Sequence, residues 1–278
     1  MWQVLFNPAC RFNKINGIVI VFFDTGRHRK DIRVKDNIFW READLFGEDF
    51  VGATANLNFT FGINFFRPRF FGLEVFPIIE KIIADNDLWI LNPQDEKDPD
   101  NPQKFAPGYL QEQWIQHNDK VTIGQFKELD IDYYPLDKSN YMWRFLLNRE
   151  EIQNKLTEDI FVAGYFMIKS REDGQLYTGC VWPEHIPIVL PPVDFVIIKK
   201  TIKTLFKTKE ESGLVSYQTI IDKFGNYFET FENEIPKLKV LRQKNADIIA
   251  KEFNKLEVIP VKDFGTGVGF DKFVNVRP

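Results

Sequence analysis

Two cysteines, three histidines and three methionines are all that the 278 residues offer of the usual metal-binding and redox side chains. Cys10 and Cys180 stand far apart in no zinc spacing, and neither His-Glu-x-x-His nor Cys-x-x-Cys occurs, so no metal and no cofactor is expected. Two free thiols in a reducing compartment are the expected state of a chain this long. Long apolar runs are missing too. The longest, Ile18–Phe23, has six residues, against the roughly 20 that a membrane-spanning helix needs. The opening MWQVLFNPACRFNK sets no basic region before its apolar residues. It does not read as a signal peptide, and a cytoplasmic location without a membrane partner is expected. No one sign of charge dominates either: 36 basic and 40 acidic residues leave a net charge of −4, which makes no case for a polyanionic partner.

What the chain has in excess is phenylalanine, 28 residues against 8 Tyr and 6 Trp. Phe carries no polar handle, so these rings seek the interior, and the length allows a sizeable core. Ile18–Phe23 and Ile32–Phe39 flank a polar, Gly-containing turn. Asn56–Phe65 alternates polar and apolar residues over ten positions, the mark of a strand with one buried and one open face. Phe70, Phe71, Val75 and Phe76 continue this β-like composition. Pro77 suits the first turn of a helix over Ile78–Ala84. Residues 92–107 hold four prolines and four acids, so they form a loop and the boundary between a β-rich lobe, 1–91, and a mixed lobe, 108–278.

Further on, Tyr109–His117 reads as helix. Thr122–Gln125 and Asn148–Glu151 have the form of capping boxes. Phe161–Lys169 and Leu176–Val181 flank Asp173-Gly174 as a hairpin spanning about 160–182. Lys199–Lys209 reads as a basic helix face. Ser216 caps a helix over Tyr217–Phe224, a longer helix runs from Pro236 to about Leu256, and Glu257–Val261 is a last strand. β-rich and helical stretches are segregated, which predicts an α+β fold with a Phe-rich antiparallel sheet in the N-terminal third.

The sharpest chemical lead is Asp24-Thr25-Gly26, the way a catalytic strand of an aspartic protease ends. That chemistry needs two carboxyl groups sharing a proton. No second such triplet exists, and Arg27, His28, Arg29 and Lys30 follow directly. A hairpin corner is the reading that fits. Gly265-Thr-Gly267-Val-Gly269 lacks the following helix of a dinucleotide loop. Asp263-Phe264-Gly265 lacks the catalytic loop of a kinase. Asp130 and Asp132 form an acid pair with too few oxygens for a hard cation, and Asp98 and Asp100 open a calcium-loop spacing that fails at Gln103 and Tyr109. His28 and His117 have no local metal partners.

Cys180 and His185, five residues apart with Asp194 beyond, are the catalytic candidates for a hydrolase or transferase. A thiol nucleophile needs a base and an orienting acid. As a strand, Leu176–Trp182 would set Cys180 and Trp182 on one face. The basic segments 27–35 and 199–209 are the candidates for a nucleic-acid surface. Asn56, Asn58, Thr60 and Asn64, with Arg67 and Arg69, are the binding candidates, a row of amides suited to a peptide or sugar. With no catalytic set outweighing its structural explanation, the leading expectation is a non-enzymatic binding protein that neutralises a protein partner.

Overall fold

The computed structural model describes residues 18–24, 60–85, 89–92, 103–156, 159–203, 208–232 and 234–277. The fold is mixed α+β and divides into two compact units, residues 1–128 with Pro278, and Leu129–Arg277. The division falls near the end of a helix, and residues 92–107 belong to the first unit. The turn at Asp24-Thr25-Gly26 and the run Ile32–Phe39 lie largely outside the described residues, as do Asn56, Asn58 and the basic segment 27–35.

In the first unit, strand β1 (Ile18–Asp24) pairs in parallel with β2 (Thr60–Asn64) and with β3 (Trp89–Leu91). Among the described residues of this unit, only β3 and β4 (Gln103–Lys104) pair antiparallel. The described pairings therefore differ from the antiparallel sheet expected, because a helix stands between β2 and β3. Phe70–Asp85 is helix α1, eight residues longer at its start than expected, with Pro77 inside it. Burial at Gly72, Phe76, Ile79 and Ile83 steps by four, three and four, so a helical period overrides the β-like composition. Helix α2 spans Tyr109–Leu129. Its residues Leu110, Trp114, Asn118 and Thr122 are fully buried at a spacing of four. Thr122 thus sits in mid-helix rather than at a cap. A Cβ on Gly72 would stand 2.9 Å from the Trp114 ring, so the glycine is what admits the indole.

The second unit is built on a five-stranded sheet. Strand β5 (Asp132–Tyr133), helix α3 (Leu136–Leu147) and helix α4 (Arg149–Lys155) lead to the short β6 (Phe161–Val162). Asn148 stands between the two helices, but its amide donates back to Arg144 O at 2.8 Å, so no capping box forms. The expected hairpin is present as β7 (Tyr165–Ser170) and β8 (Leu176–Pro183). Asp173 makes its turn: Oδ1 accepts from Gln175 N–H at 2.9 Å and Gly174 has φ +68°.

After β9 (Ile188–Leu190) comes a second hairpin, β10 (Phe195–Lys203) and β11 (Thr208–Ser216). The lysines of 199–203 therefore lie on a strand, not on a helix. Ser216 caps α5 (Tyr217–Phe224) as expected, its Oγ accepting from Thr219 N–H at 3.0 Å. Leu238 and Val240 are both buried, and this period of two makes Lys239–Leu241 strand β13, paired with β9 and with β12 (Glu229–Thr230). The expected long helix shortens to α6 (Gln243–Phe253). Of the expected last strand, Ile259 forms one bridge with Leu214, and Val261–Phe264 turns as helix α7. The chain closes with β14 (Gly265–Val268) and β15 (Phe273–Val274). The order in the main sheet is β11-β10-β8-β7-β14, and β12-β13-β9-β6 form a second sheet.

One face of the main sheet carries Cys180, Trp182, Val196, Ile198 and Val215, packed on Ile220 and Phe224 of α5 and Ile249 and Phe253 of α6. Phe253 meets the Trp182 ring edge-on at 4.9 Å. Lys200 stands on this inner face, 4 % exposed. Its ammonium donates to Asn254 O at 3.2 Å and to Leu256 O, and pairs with Glu211 at 3.1 Å. The buried cation thereby satisfies carbonyls just past the α6 C-terminus, where positive charge is favoured. Replacing Lys200 by Met should cost about 3–5 kcal/mol, because Glu211 and those carbonyls lose their partner. On the other face Phe166 lies over Gly179, where a Cβ would stand 2.2 Å from the ring. Gly179→Ala should therefore cost about 1–3 kcal/mol by overpacking. Urea unfolding of the two variants measures both.

Candidate functional site

Cys180, His185 and Asp194 belong to one sheet but do not converge. Asp194 precedes β10 and is locked at the amino end of β8. Its Oδ2 accepts from Thr178 N–H at 2.8 Å and Thr178 Oγ1 at 2.9 Å, and its Oδ1 accepts from Lys138 Nζ at 3.1 Å. Its own N–H donates to Thr178 O, and Tyr217 N–H donates to its carbonyl, each at 3.0 Å. Tyr134 completes the network by donating to Thr178 Oγ1 at 3.3 Å. His185 lies past the other end of β8. A strand rises about 3.3 Å per residue, so the five steps from Thr178 to Pro183 alone separate them by roughly 16 Å. An orienting acid must touch its histidine, and Asp194 is out of reach.

Cys180 is fully buried among apolar side chains, and that burial pushes its thiol well above the ordinary range. A thiol held protonated is a poor nucleophile. Trp182 separates it along the strand from His185, and the Trp182 indole donates to Ile186 O at 2.9 Å. Glu184 and His185 take φ +50° and +48° and form the turn that lets Ile186 N–H reach Pro183 O at 3.2 Å. The His185 ring rests edge-on against Phe253 at 5.8 Å. The neighbouring phenols of Tyr134, Tyr141, Tyr165 and Tyr217 are all raised by burial. These groups act as polar pins of the core: Tyr165 donates to Pro192 O at 3.0 Å and Tyr141 to Pro236 O at 2.6 Å.

The other candidates are likewise engaged by the chain itself. Lys199 pairs with Glu210 at 3.2 Å and Lys200 with Glu211 at 3.1 Å, each across the β10–β11 ladder. Acids opposite cations cancel the field that a phosphate backbone would need. Asp132 pairs with Lys169 at 2.7 Å. In the first unit, Asn64 ends β2, level with Asp24 of β1. The buried Asn118 clasps the backbone of Arg67, accepting from its N–H at 3.4 Å and donating to its carbonyl at 3.2 Å. The Arg69 guanidinium forks onto Asp119. Phe66, just before Arg67, takes φ +59°, a conformation rare for a bulky residue, and the Asn118 clasp helps to hold the segment that follows.

The outer face of the main sheet carries apolar side chains of its own. The register places Val181 beside Ile197, Ile197 beside Leu214, and Leu214 beside Ile259. Directly paired residues share a face, so these four form one apolar row across the sheet. Val181 is 40 % and Ile259 50 % exposed; between them Ile197 is half-buried and Leu214 fully buried. Phe264 covers the neighbouring level, with its ring edge-on to Phe195 at 4.7 Å and to Tyr177 at 5.7 Å. Alternation along Thr178–Pro183 holds the signal for this row: a strand that buries Cys180 and Trp182 must turn Val181 outward.

In a Cys10→Ser background, Cys180 should stay unlabelled by a thiol-reactive reagent at pH 8 and react only after denaturant is added; mass spectrometry of the folded protein checks this. No family model matches the chain, and no curated protein or solved structure is detectably similar to it.

Proposed function

We propose that this chain is a non-enzymatic binding protein of the cytoplasm whose partner is another protein. The observation that carries the reading is the apolar row Val181–Ile197–Leu214–Ile259, exposed at both ends on an ordered sheet. Apolar side chains scattered singly need no explanation, whereas a contiguous set on a rigid element is the usual core of a protein interface. The row is bordered by the Lys199–Glu210 ion pair, giving an apolar centre with a charged rim, as interfaces commonly have. The catalytic candidates favour the same reading. Cys180 is sealed in the core and Asp194 serves as a hydrogen-bond hub, so both are accounted for by folding. Among the described residues no helix is long and apolar enough to cross a membrane.

The test is comparative capture from cytosol of the source cells. Wild-type protein should retain a defined partner. A Val181→Glu, Ile259→Glu double variant should lose it by at least about tenfold in affinity, or ~1.4 kcal/mol. Its melting temperature should stay within a few degrees of wild type, since both side chains face solvent. Retention of the same partner at undiminished affinity would remove the sheet face from the reading. Turnover of a substrate that Asp194→Asn abolishes in a folded protein would replace it with an enzyme.

A further inference from the structure

Strand β14 ends the main sheet, with β7 on one side and, among the described residues, no strand on the other. Three other sheet edges in this unit are shielded. Beside β6, Ile160 O and Val162 O each accept from a side chain of α4, Gln153 Nε2 and Arg149 Nε, at 3.0 Å. The β11 edge is bridged by Ile259 and carries exposed Lys209 and Glu210. The β12 edge carries Glu229, paired with Arg242 at 2.7 Å. Such devices keep sheets from pairing with foreign strands. β14, reading Gly-Thr-Gly-Val, has no charge, no proline and no large side chain.

The hydrogen-bond phase of β14 follows from one contact. Arg171 N–H donates to Phe264 O at 3.0 Å, one step before the pair Gly265–Ser170. Bonded and non-bonded pairs alternate along an antiparallel ladder. Thr266 and Val268 therefore bond toward β7, while Gly265 and Gly267 face the other way; there the Gly265 N–H is taken by Val261 O of α7, and Gly267 points its N–H and C=O off the edge. The motif Gly265-Thr-Gly267-Val-Gly269, which no nucleotide fold claims, thus puts a glycine at each outward position.

Gly265 is needed by the chain itself, since a Cβ there would stand 2.1 Å from the backbone Lys169 O. A Cβ on Gly269 would stand 2.7 Å from Asp271 Oδ1, a side-chain end that can yield. Gly267 is different. It is exposed, no atom lies within 4 Å of where its Cβ would stand, and its φ is not positive. Glycine weakens a strand, so a glycine that the fold does not require calls for a reason outside it. The same sheet supplies the precedent. Gly179 has the Phe166 ring of its cross-strand partner lying over it, the arrangement by which an aromatic covers a strand glycine. Gly267 is a seat of that kind with no ring in it.

We propose that β14 is a strand-addition edge that takes an extended segment of the partner protein, with an aromatic residue placed opposite Gly267. The segment pairs with the outward N–H and C=O of Gly267, and its ring lies over the glycine. A second copy of this chain fits less well: antiparallel self-pairing about Gly267 sets glycine opposite glycine, and β14 has no aromatic residue to lie over it. This inference rests on the protein-binding reading and names the chemistry of one contact.

The probe is a fluorescent octapeptide of alternating Thr and Val with one central Phe, titrated by anisotropy. Wild-type protein should bind it. The Phe→Ala peptide should bind at least tenfold more weakly, as should Gly267→Val, although that variant melts no lower than wild type. Gly267→Pro should abolish binding while the fold persists, because the N–H it removes bonds nothing within the sheet. No binding at millimolar peptide, or equal binding by Gly267→Pro, overturns the proposal. So does a wild-type dimer that Gly267→Pro dissociates, since the occupant is then a second copy. Partner capture that survives Gly267→Pro but fails in the Val181→Glu, Ile259→Glu variant rejects the edge and keeps the protein-binding reading.

Discussion

An ammonium group cannot leave water unless each of its hydrogens finds an acceptor, and the second unit is arranged around meeting that demand for Lys200. The three acceptors come from two places far apart in sequence, the backbone just after α6 and the carboxylate of Glu211 on the neighbouring strand. Meeting them fixes the β10–β11 hairpin against the end of α6. It also decides which face of the sheet is inside. With Lys200, Ile198 and Val196 turned toward Trp182 and Phe253, alternation leaves Ile197 and Val181 facing out. The apolar row Val181–Ile197 is thus the reverse side of the core.

The polar groups of this unit are used in the same way throughout. Asp194 accepts three hydrogen bonds and joins the start of β10 to β8 and α3. Half-buried phenols reach single carbonyls of prolines. Arg149 and Gln153 spend their donors on the edge at β6. A group satisfied in this way is costly to move and poorly placed for chemistry that needs it to gain or lose a proton. The Asp194 carboxylate is held by such hydrogen bonds, and the Cys180 thiol by burial among apolar side chains. A rigid sheet with one open face and one open edge is suited to binding, where little order has to be created on association.

Local signals in the sequence were read correctly where they concern one element. The hairpin over 165–183 follows from apolar runs around Asp173-Gly174, and the α5 cap follows from Ser216. Errors arose where composition and period disagree. Phe70, Phe71 and Phe76 favour strands by residue type, yet burial at Gly72, Phe76, Ile79 and Ile83 makes a helix. Lys199–Lys203 offered a helical stripe, yet pairing with Thr208–Ser216 makes a strand. Pro236 marked a helix start, yet Leu238 and Val240 are buried at a strand's period against β9. In each case the partner element chose the period, and the partner lies elsewhere in the chain.

The sequence by itself determined the mixed α+β class, the turns at glycine, aspartate and proline, and the shared face of Cys180 and Trp182. These depend on backbone preferences and on the two-residue strand repeat, which act between near neighbours. Only the tertiary structure decided that Asp194 belongs with Thr178 and not with His185, that Lys199 and Lys200 face Glu210 and Glu211, and that Gly267 stands on a bare edge. Those facts depend on strand order and register, which are settled by packing between residues distant along the chain.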